Sequence, residues 1–175
     1  MVSTPTLDTQ PPSEPVRHPL AFRIDWDFCH TARTRKLMRR FMVETAGCCR
    51  ASESTFWAIS ADGKRIEGAI NSGKDCDKVE KLVVHANDSV VGLIATAGIS
   101  LCVGPGEFMN PEIKKEFSVR NMVAAPVTVD SQICGVVSAI NAIEGEKFKP
   151  EDLEALQWKA YLLGLVLADI LKGDD

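Results

Sequence analysis

The sequence predicts an α+β domain built on an antiparallel sheet, with a helix at each end of the chain. Three observations support this class: two hairpin patterns, long helical patterns before and after them, and short helices in between. Strands that are joined by hairpins pair antiparallel, and helices grouped at the ends pack on such a sheet. The 175 residues suit one domain with an extra segment, and an apolar fraction of 45% allows a full core.

Residues 1–20 are predicted to form a flexible, proline-rich leader. Five of the nine prolines lie within the first 19 residues, where large apolar side chains are few. A segment of this composition cannot bury enough apolar surface to offset the entropy that it would lose on folding. We therefore assign the folded domain to residues 21–175.

The first helix is predicted from apolar residues that recur four positions apart. Pairs at this spacing are Leu37 with Phe41 and Met38 with Met42. Asp25 or Asp27 is expected to cap the start, and Gly47 stands where the helix would end. The basic residues of this helix are expected to face solvent. They are Arg33, Arg35, Lys36, Arg39 and Arg40.

The first hairpin is predicted from the runs STFWAIS and KRIEGAI, which flank Asp62-Gly63. Glycine supplies the positive φ that a two-residue hairpin turn needs. Residues 71–87 are polar and allow no assignment. The run DSVVGLIATAG then predicts a short helix with Asp88 as N-cap and Gly98 as its end. A strand follows in ISLCV, and Asn110-Pro111 predicts a further short helix over 111–117.

The second hairpin joins MVAAPVTV to ICGVVSAI through Asp130-Ser131, and both strands are apolar at odd and even positions alike. A strand with one wet face alternates apolar and polar residues, so both faces of this hairpin must be covered. The terminal helices can cover one face. The short elements between residues 88 and 117 are left for the other, where loops over a sheet favour a small-molecule pocket.

The last helix is predicted from Pro150 to about Leu171, and it is apolar nearly all round. One stripe, Leu153, Leu156, Ala160, Leu163 and Leu167, suits packing on the sheet. A second set lies outside that stripe: Trp158, Tyr161, Leu162, Leu165 and Val166. A helix that is apolar all round is buried all round, so we expect a homodimer in which the terminal helices of both chains form a bundle.

The order of these patterns resembles a GAF domain, the small-molecule sensing module of signalling proteins. The resemblance covers residues 25–172 and is most specific between Gly92 and Leu156. Its motif residues are Ala125-Pro126-Val127, Gly135-Val136, Asn141, Phe148 and Asp152. The resemblance implies three layers: a central antiparallel sheet of five or six strands, terminal helices on one face, and short helices and loops over a pocket on the other. It also implies dimerisation through the terminal helices.

The sequence departs from the better-known GAF subtypes. Cyclic-nucleotide binders carry Lys after the motif Asn and Glu after the motif Asp, whereas Ala142 and Leu153 stand here. We expect Asn141, Phe148 and Asp152 to have structural roles. Bilin binders attach their chromophore to a Cys in the middle of the domain, and the only Cys-His pair here is Cys29-His30 in the first helix. His85 as a haem ligand remains an open alternative.

We predict that the cavity is lined by apolar residues of the sheet and of the layer above it. The candidates are Phe56, Leu93, Cys102, Met109, Phe117 and Met122. Each is also explained by ordinary core packing, because an apolar residue in an apolar run needs no ligand. The identity of a ligand or cofactor cannot be read from the sequence. No catalytic residue and no metal site is predicted.

The function that we expect is regulatory: the domain binds a small molecule, forms a dimer, or does both, and transmits its state through the terminal helices. The alternative is a thiol-dependent reductase of free methionine sulfoxide with a GAF fold, for which Cys76 and Cys102 are the candidate thiols. A catalytic thiol needs a lowered pKa and a resolving partner. Neither is evident nearby in the sequence, which favours the regulatory function.

Charge and hydropathy exclude several other classes. The net charge of −4 argues against a nucleic-acid binder, which needs a basic surface. No apolar run approaches the length of a membrane span, and the N-terminus lacks the pattern of a secretion signal. We therefore expect a cytoplasmic protein with reduced thiols.

Overall fold

A six-stranded antiparallel sheet forms the centre of the fold, in the strand order β3-β2-β1-β6-β5-β4. The computed structural model describes residues 26, 31–107, 117–145 and 147–173. The strands are β1 (Ala51–Ile59), β2 (Arg65–Asn71), β3 (Val83–His85), β4 (Leu101–Val103), β5 (Met122–Val129) and β6 (Gln132–Ala142). Both predicted hairpins are present, and each pairs antiparallel. The predicted α+β class is confirmed.

Two long helices enclose the strands in sequence, and the described residues between them form two short ones. They are α1 (Ala32–Cys48), α2 (Cys76–Val79), α3 (Val90–Ala97) and α4 (Pro150–Gly173). The start of α1 is fixed by Thr31, whose hydroxyl accepts a hydrogen bond from the backbone N of Thr34 at 3.3 Å. No helix in the described part of the chain is long and apolar enough to cross a membrane.

The two faces of the sheet carry separate cores. On one face α1 and α4 pack over β1, β5 and β6, with Met42, Phe56 and Leu163 fully buried among them. The helix α4 lies close to β5: a Cβ on Gly164 would stand 2.2 Å from the carbonyl oxygen of Thr128. On the other face Trp57, Val136 and Ile94 form a smaller core beneath α3. This layering agrees with the covered hairpin that the sequence predicts.

A bulge in β2 changes which residues face each core. Phe56 pairs with Ile70 and Trp57 pairs with Gly68, so Ala69 is an extra residue in the ladder. As a result Ile70 packs beneath the terminal helices, whereas Ile66, four positions earlier, packs on the opposite face. Gly68 is required at this place, because a Cβ there would lie 2.2 Å from the carbonyl oxygen of Val79.

Several local predictions are corrected. The cap of α3 is Ser89, one residue later than expected, and its hydroxyl accepts from the backbone N of Gly92 at 2.9 Å. Gly98 ends that helix with a φ of 68°, as predicted. The first hairpin has a five-residue loop instead of a two-residue turn, and within it only Gly63 has a positive φ. The unassigned stretch 71–87 contains α2 and β3.

Other predictions concern residues that lie at or beyond the limits of the described ranges. Asp25 and Asp27, proposed as caps, lie outside them, and the described helix begins instead after Thr31. The leader at 1–20 and most of the helix predicted at 111–117 also lie outside them. The second hairpin turn, by contrast, is well defined: Asp130 and Ser131 have φ values of 47° and 67°, the backbone geometry of a two-residue primed turn.

Candidate functional site

A cavity lies on the sheet face opposite the terminal helices, with a volume of about 70 Å³. Its floor comes from β1, β2, β5 and β6: Glu53, Thr55, Trp57, Asn71, Met122, Ser138 and Ile140. Its remaining walls come from α2, β3, α3 and the segment before β5: Val79, Leu82, Val84, Ser89, Val90, Val91, Phe117 and Val119. One water needs about 10–15 Å³ on the same measure, so the cavity holds roughly five to seven waters or a small organic molecule.

Three polar side chains cross the floor of the cavity in one row. Thr55 on β1 pairs with Asn71 on β2 and with Ser138 on β6, so the three residues occupy neighbouring positions on three adjacent strands. Residues that face each other across a ladder project from the same side of the sheet. All three are at most 5% exposed. The register of the strands therefore assembles a polar strip inside an otherwise apolar cavity.

Hydrogen bonds hold the polar strip in place. They use only part of its capacity to form hydrogen bonds. Asn71 Nδ2 donates to Thr55 Oγ1 at 2.8 Å, and Trp57 Nε1 donates to Ser138 Oγ at 2.8 Å. The amide of Asn71 is oriented by the backbone N of Gly73, which donates to Asn71 Oδ1 at 2.6 Å. Both hydroxyls act as acceptors in these bonds. Each keeps its own hydrogen to donate.

Glu53 adds a carboxylate beside this strip, two residues before Thr55 on the same face of β1. Burial raises the pKa of Glu53, and a hydrogen bond from the side chain of Asn71 partly offsets that effect. Gly73 makes room for the carboxylate, because a Cβ at that position would lie 1.4 Å from Glu53 Oε2. Among the described residues, no basic side chain forms an ion pair with Glu53.

A buried carboxylate connects the floor of the cavity to α1. Glu80, directly after α2, has a side chain that is only 5% exposed. Its Oε1 accepts the backbone N–H of Asn71 at 2.9 Å and Nη2 of Arg39 at 2.9 Å. Arg35 forms a further ion pair with the same carboxylate. Two of the basic residues that were expected to face solvent therefore contact a buried acid.

The structure separates the six residues that the sequence proposed for the cavity. Phe117 and Met122 line it. Phe56 lies on the other face, fully buried against Trp26 beneath the terminal helices, with 5.3 Å between the ring centroids. Leu93 and Cys102 are exposed and outside the lining. Met109 lies outside the described residues.

The polar members of the cavity were missed by the sequence analysis. A signal for part of them exists in β1, where Glu53 and Thr55 alternate with Ser54 and Phe56 and precede Trp57. Successive strand residues point to opposite faces, so these odd positions share one side. Phe56 is apolar and lies between Thr55 and Trp57, but its side chain points to the opposite face, beneath the terminal helices.

None of the five described cysteines lines the cavity. Among the described residues, no Cys, His, Lys or Arg lines it, so the lining lacks thiol, imidazole and amine nucleophiles. Desolvation raises the pKa of Cys102, aided by the Asp152 carboxylate. Burial raises the pKa of Cys49 and of Cys134 to about 12. These thiols are poor sources of thiolate at neutral pH.

A sequence profile of the GAF domain matches residues 33–167, which is most of the chain. The chain belongs to the GAF domain family. Comparison with curated proteins gave no significant match. The structure of this GAF domain describes nearly all residues of the matched range.

Solved structures similar to this GAF domain include other GAF domains and an enzyme. The PixJ GAF domain of Thermosynechococcus elongatus in its blue-light absorbing form is 14% identical, covers 81% of this chain and 89% of its own, and has a TM-score of 0.64. The GAF-B domain of DevS from Mycobacterium smegmatis is 14% identical, with 81% and 98% covered and a TM-score of 0.63. At these identities the likeness concerns the fold.

A third similar structure is the type II free methionine-R-sulfoxide reductase of Thermoplasma acidophilum. It is 14% identical, with 82% of this chain and 95% of that chain covered and a TM-score of 0.61. The GAF fold thus occurs in proteins with different activities, and the site of each chain has to be judged from its own residues.

The motif residues Asn141, Phe148 and Asp152 of this GAF domain lie outside the cavity and have structural contacts. Asn141 has a φ of 57°, and its Oδ1 accepts the backbone N of Arg120 at 2.8 Å. Phe148 is buried in the core beneath the terminal helices. Asp152 accepts the backbone N of Lys149 at 2.7 Å and Nε of Arg50 at 2.8 Å. The three contacts fix the segment between β6 and α4.

Proposed function

We propose that this GAF domain is a regulatory module that binds a small molecule in the cavity between the sheet and α3, and that it forms a homodimer through α1 and α4. The observation that carries the proposal is the polar strip Asn71, Thr55 and Ser138 on the floor of an otherwise apolar cavity. Ligand sites typically combine apolar walls with a few convergent polar groups that fix orientation.

The unused hydrogen-bonding capacity of the strip supports binding. A hydroxyl can donate one hydrogen bond in addition to those that it accepts. Thr55 and Ser138 each accept a hydrogen bond, and among the described residues neither donates one. Bound waters or a ligand can supply the missing acceptors.

The dimer is supported by an apolar face of α4 that the described part of the chain leaves uncovered. Its buried stripe faces β5, as predicted, with Leu156, Leu163 and Leu167 at 0% exposure. The remaining apolar residues are between 41% and 65% exposed: Trp158, Tyr161, Leu162, Leu165 and Val166. Leu37 and Val43 on α1 are also more than half exposed. Apolar surface concentrated on two neighbouring helices is typical of a protein interface.

The proposed ligand site and the proposed dimer interface are connected through the sheet. The cavity and the terminal helices lie on opposite faces of the same strands, so Thr55 projects into the cavity while Phe56, its neighbour, packs beneath α1 and α4. A ligand that repositions β1 and β6 changes the surface on which both helices pack. A change in helix packing at a dimer interface is one of the known forms of signalling transition.

Native mass spectrometry of freshly purified protein tests ligand binding. We expect a mass above that of the chain, which is lost in Ile140→Phe because the larger ring occupies the cavity. Leu93→Phe is the matched control, since Leu93 is exposed and outside the lining. Absence of any bound mass, together with no stabilisation by a broad panel of small metabolites, would contradict the binding function.

Light scattering at micromolar concentration tests the dimer. We expect twice the monomer mass of 19.1 kDa. Leu165→Glu should give a monomer, since it introduces a charge at a residue that is 51% exposed on α4. Ile143→Glu is the control, because Ile143 is 68% exposed but lies after β6, outside the helices. A wild-type monomer would end this part of the proposal.

The alternative, thiol-dependent reduction of free methionine sulfoxide, is supported by the fold similarity to the Thermoplasma acidophilum enzyme. The position of the thiols argues against it, since neither Cys76 nor Cys102 lines the cavity. Replacing each with Ser and measuring turnover of free methionine sulfoxide distinguishes the two functions. Turnover by the wild type that is lost in either variant would favour the reductase.

We place the domain in the cytoplasm as part of the same proposal. The net charge of −4 also argues against nucleic acid as its partner. Fractionation of cells that produce the natural protein tests the location.

A further inference from the structure

The polar groups of the cavity differ in what they offer a ligand. The carboxylate of Glu53 is an acceptor, whereas the hydroxyls of Thr55 and Ser138 have hydrogens to donate. Glu53 and Thr55 are two residues apart on β1 and project from the same face, and Ser138 pairs directly with Thr55. The acceptor and the donors therefore lie side by side on the floor.

The carboxylate is fixed in place by its surroundings. The side chain of Asn71 lies beside Glu53 and acts to lower its pKa, and Asn71 Nδ2 donates to Thr55 Oγ1 at 2.8 Å. Gly73 packs so closely against Glu53 Oε2 that any side chain there would displace the carboxylate. A carboxylate that forms no ion pair with the described residues is a site for a positively charged group.

The same charge disfavours anions. A phosphate or carboxylate in this small space would lie close to Glu53, and like charges at short distance repel strongly where water is excluded. No Lys or Arg among the described lining residues offsets that repulsion. The walls opposite the strip are mostly apolar, with Val79, Val90 and Val91 among them. They suit a hydrocarbon group.

We propose that the cavity binds a compact primary amine, in which an ammonium group meets Glu53, a neighbouring oxygen accepts from Thr55 and Ser138, and a small hydrocarbon group fills the apolar end. The proposal rests on the ligand-binding function above and names the chemical class of its ligand. The size agrees: space for roughly five to seven waters admits a molecule of about five to ten non-hydrogen atoms. Bound ammonium would also reverse the rise in the pKa of Glu53, since an opposite charge favours the ionised carboxyl.

Four probes with one hydrocarbon skeleton test the charge preference on the wild-type protein. They are leucinamide, which is cationic, leucine, which is zwitterionic, 4-methylpentanamide, which is neutral, and 4-methylpentanoate, which is anionic. Binding is measured by isothermal titration calorimetry at neutral pH. We expect leucinamide to bind most tightly, and 4-methylpentanoate to bind at least about tenfold more weakly, the loss of one charge-assisted hydrogen bond.

The variant Glu53→Gln tests whether the charge preference of the cavity comes from this one residue. Glutamine keeps the shape and removes the charge, so we expect the affinity for leucinamide to fall at least about tenfold and that for 4-methylpentanamide to change little. Glu67→Gln is the matched control, because Glu67 is exposed on neighbouring β2 and does not line the cavity. An equal loss in Glu67→Gln would contradict the assignment.

The outcomes separate this inference from the proposed function. Binding of 4-methylpentanoate as tight as that of leucinamide would overturn the amine class and leave the sensing function standing. Failure of all four probes would overturn the amine class for molecules of this size. The co-purified mass measured by native mass spectrometry then decides the sensing function on its own. The probe series needs no variant, so its result does not depend on whether Glu53→Gln folds.

Discussion

The backbone N–H of Asn71 donates a hydrogen bond to Oε1 of Glu80 over 2.9 Å, so a residue of the cavity floor is anchored to a buried carboxylate. The same oxygen accepts from Nη2 of Arg39 on α1, and Arg35 pairs with the other oxygen of the carboxylate. The cavity and the first helix are thus joined by direct polar contacts.

Glu80→Ala should lower the free energy of unfolding by about 1–3 kcal/mol, because the N–H of Asn71 would lose its partner in a buried position. The two arginines are about one-third exposed, and water can replace part of what they lose. Urea denaturation measures the change. Glu67→Ala is the control, since the Arg65–Glu67 pair is exposed and spans 3.9 Å. Equal effects of both substitutions would contradict the anchoring role.

Two glycines in the long helices should respond in opposite directions to alanine. Gly164→Ala places a methyl group 2.2 Å from the carbonyl oxygen of Thr128, so α4 must shift away from β5. Overpacking of this kind lowers the free energy of unfolding by about 1–3 kcal/mol. Gly47→Ala meets no atom within 4 Å and should raise it by up to about 1 kcal/mol, since alanine favours the helix. Thermal denaturation of both variants tests the pair, and destabilisation by Gly47→Ala would count against the described end of α1.

We expect Asn141 to contribute to stability in two separate ways: through its left-handed backbone conformation and through its side-chain hydrogen bonds. Asn141→Gly keeps the φ of 57° accessible and removes the bond to the backbone N of Arg120. Asn141→Ala removes the same bond and adds the cost of a left-handed conformation, about 1–2 kcal/mol. The alanine variant should therefore be the less stable one in urea. Equal stabilities would mean that the left-handed conformation is not held in the folded protein.

The carboxyl of Glu53 should make folding depend on pH. Burial raises its pKa; the nearby Asp75 carboxylate acts in the same direction, and Asn71 and Lys74 act against it. The folded state then holds this proton more tightly than the unfolded state. Its stabilising contribution is complete below the unfolded pKa and is lost as pH rises through the folded pKa.

Glu53→Gln lacks this dependence, so the variant should gain stability relative to the wild type as pH rises from about 4 through that range. Urea denaturation at a series of pH values gives the difference. Asp62→Asn serves as a comparison of opposite sign, because the hydroxyl of Ser60 and the backbone N of Lys64 lower the pKa of Asp62. A difference for Glu53→Gln that stays flat with pH would contradict its burial.

The elements that could be predicted from the sequence are those with long apolar patterns, because periodicity is recognised only over many residues. The hairpin of β5 and β6 and the helix α4 each extend over eight or more residues, enough for periodicity to be read. The strand β3 has three residues, Val83–His85, within a polar stretch, and it is stabilised by pairing with β2 rather than by its own pattern. No local signal distinguishes it.

The cavity lies on the sheet face opposite the terminal helices, and two of the six proposed residues, Phe117 and Met122, line it. Phe56 and Trp57 are adjacent and both apolar, so composition does not tell which of them faces the ligand. The strip Asn71, Thr55 and Ser138 exists through the pairing of three strands, which includes a bulge at Ala69. Likewise Arg39 meets Glu80 from 41 positions away in the sequence. Such pairings depend on the complete fold.

The three tryptophans occupy three different layers of the molecule, and this gives the protein separate optical probes. Trp57, 7% exposed, donates its indole hydrogen to Ser138 on the cavity floor. Trp26 donates to the carbonyl oxygen of Ile59 and packs on Phe56 beneath the helices. Trp158 is 65% exposed on the apolar face of α4. In variants that retain a single tryptophan, the wavelength of fluorescence emission would therefore report on cavity occupancy, core packing and helix association one at a time.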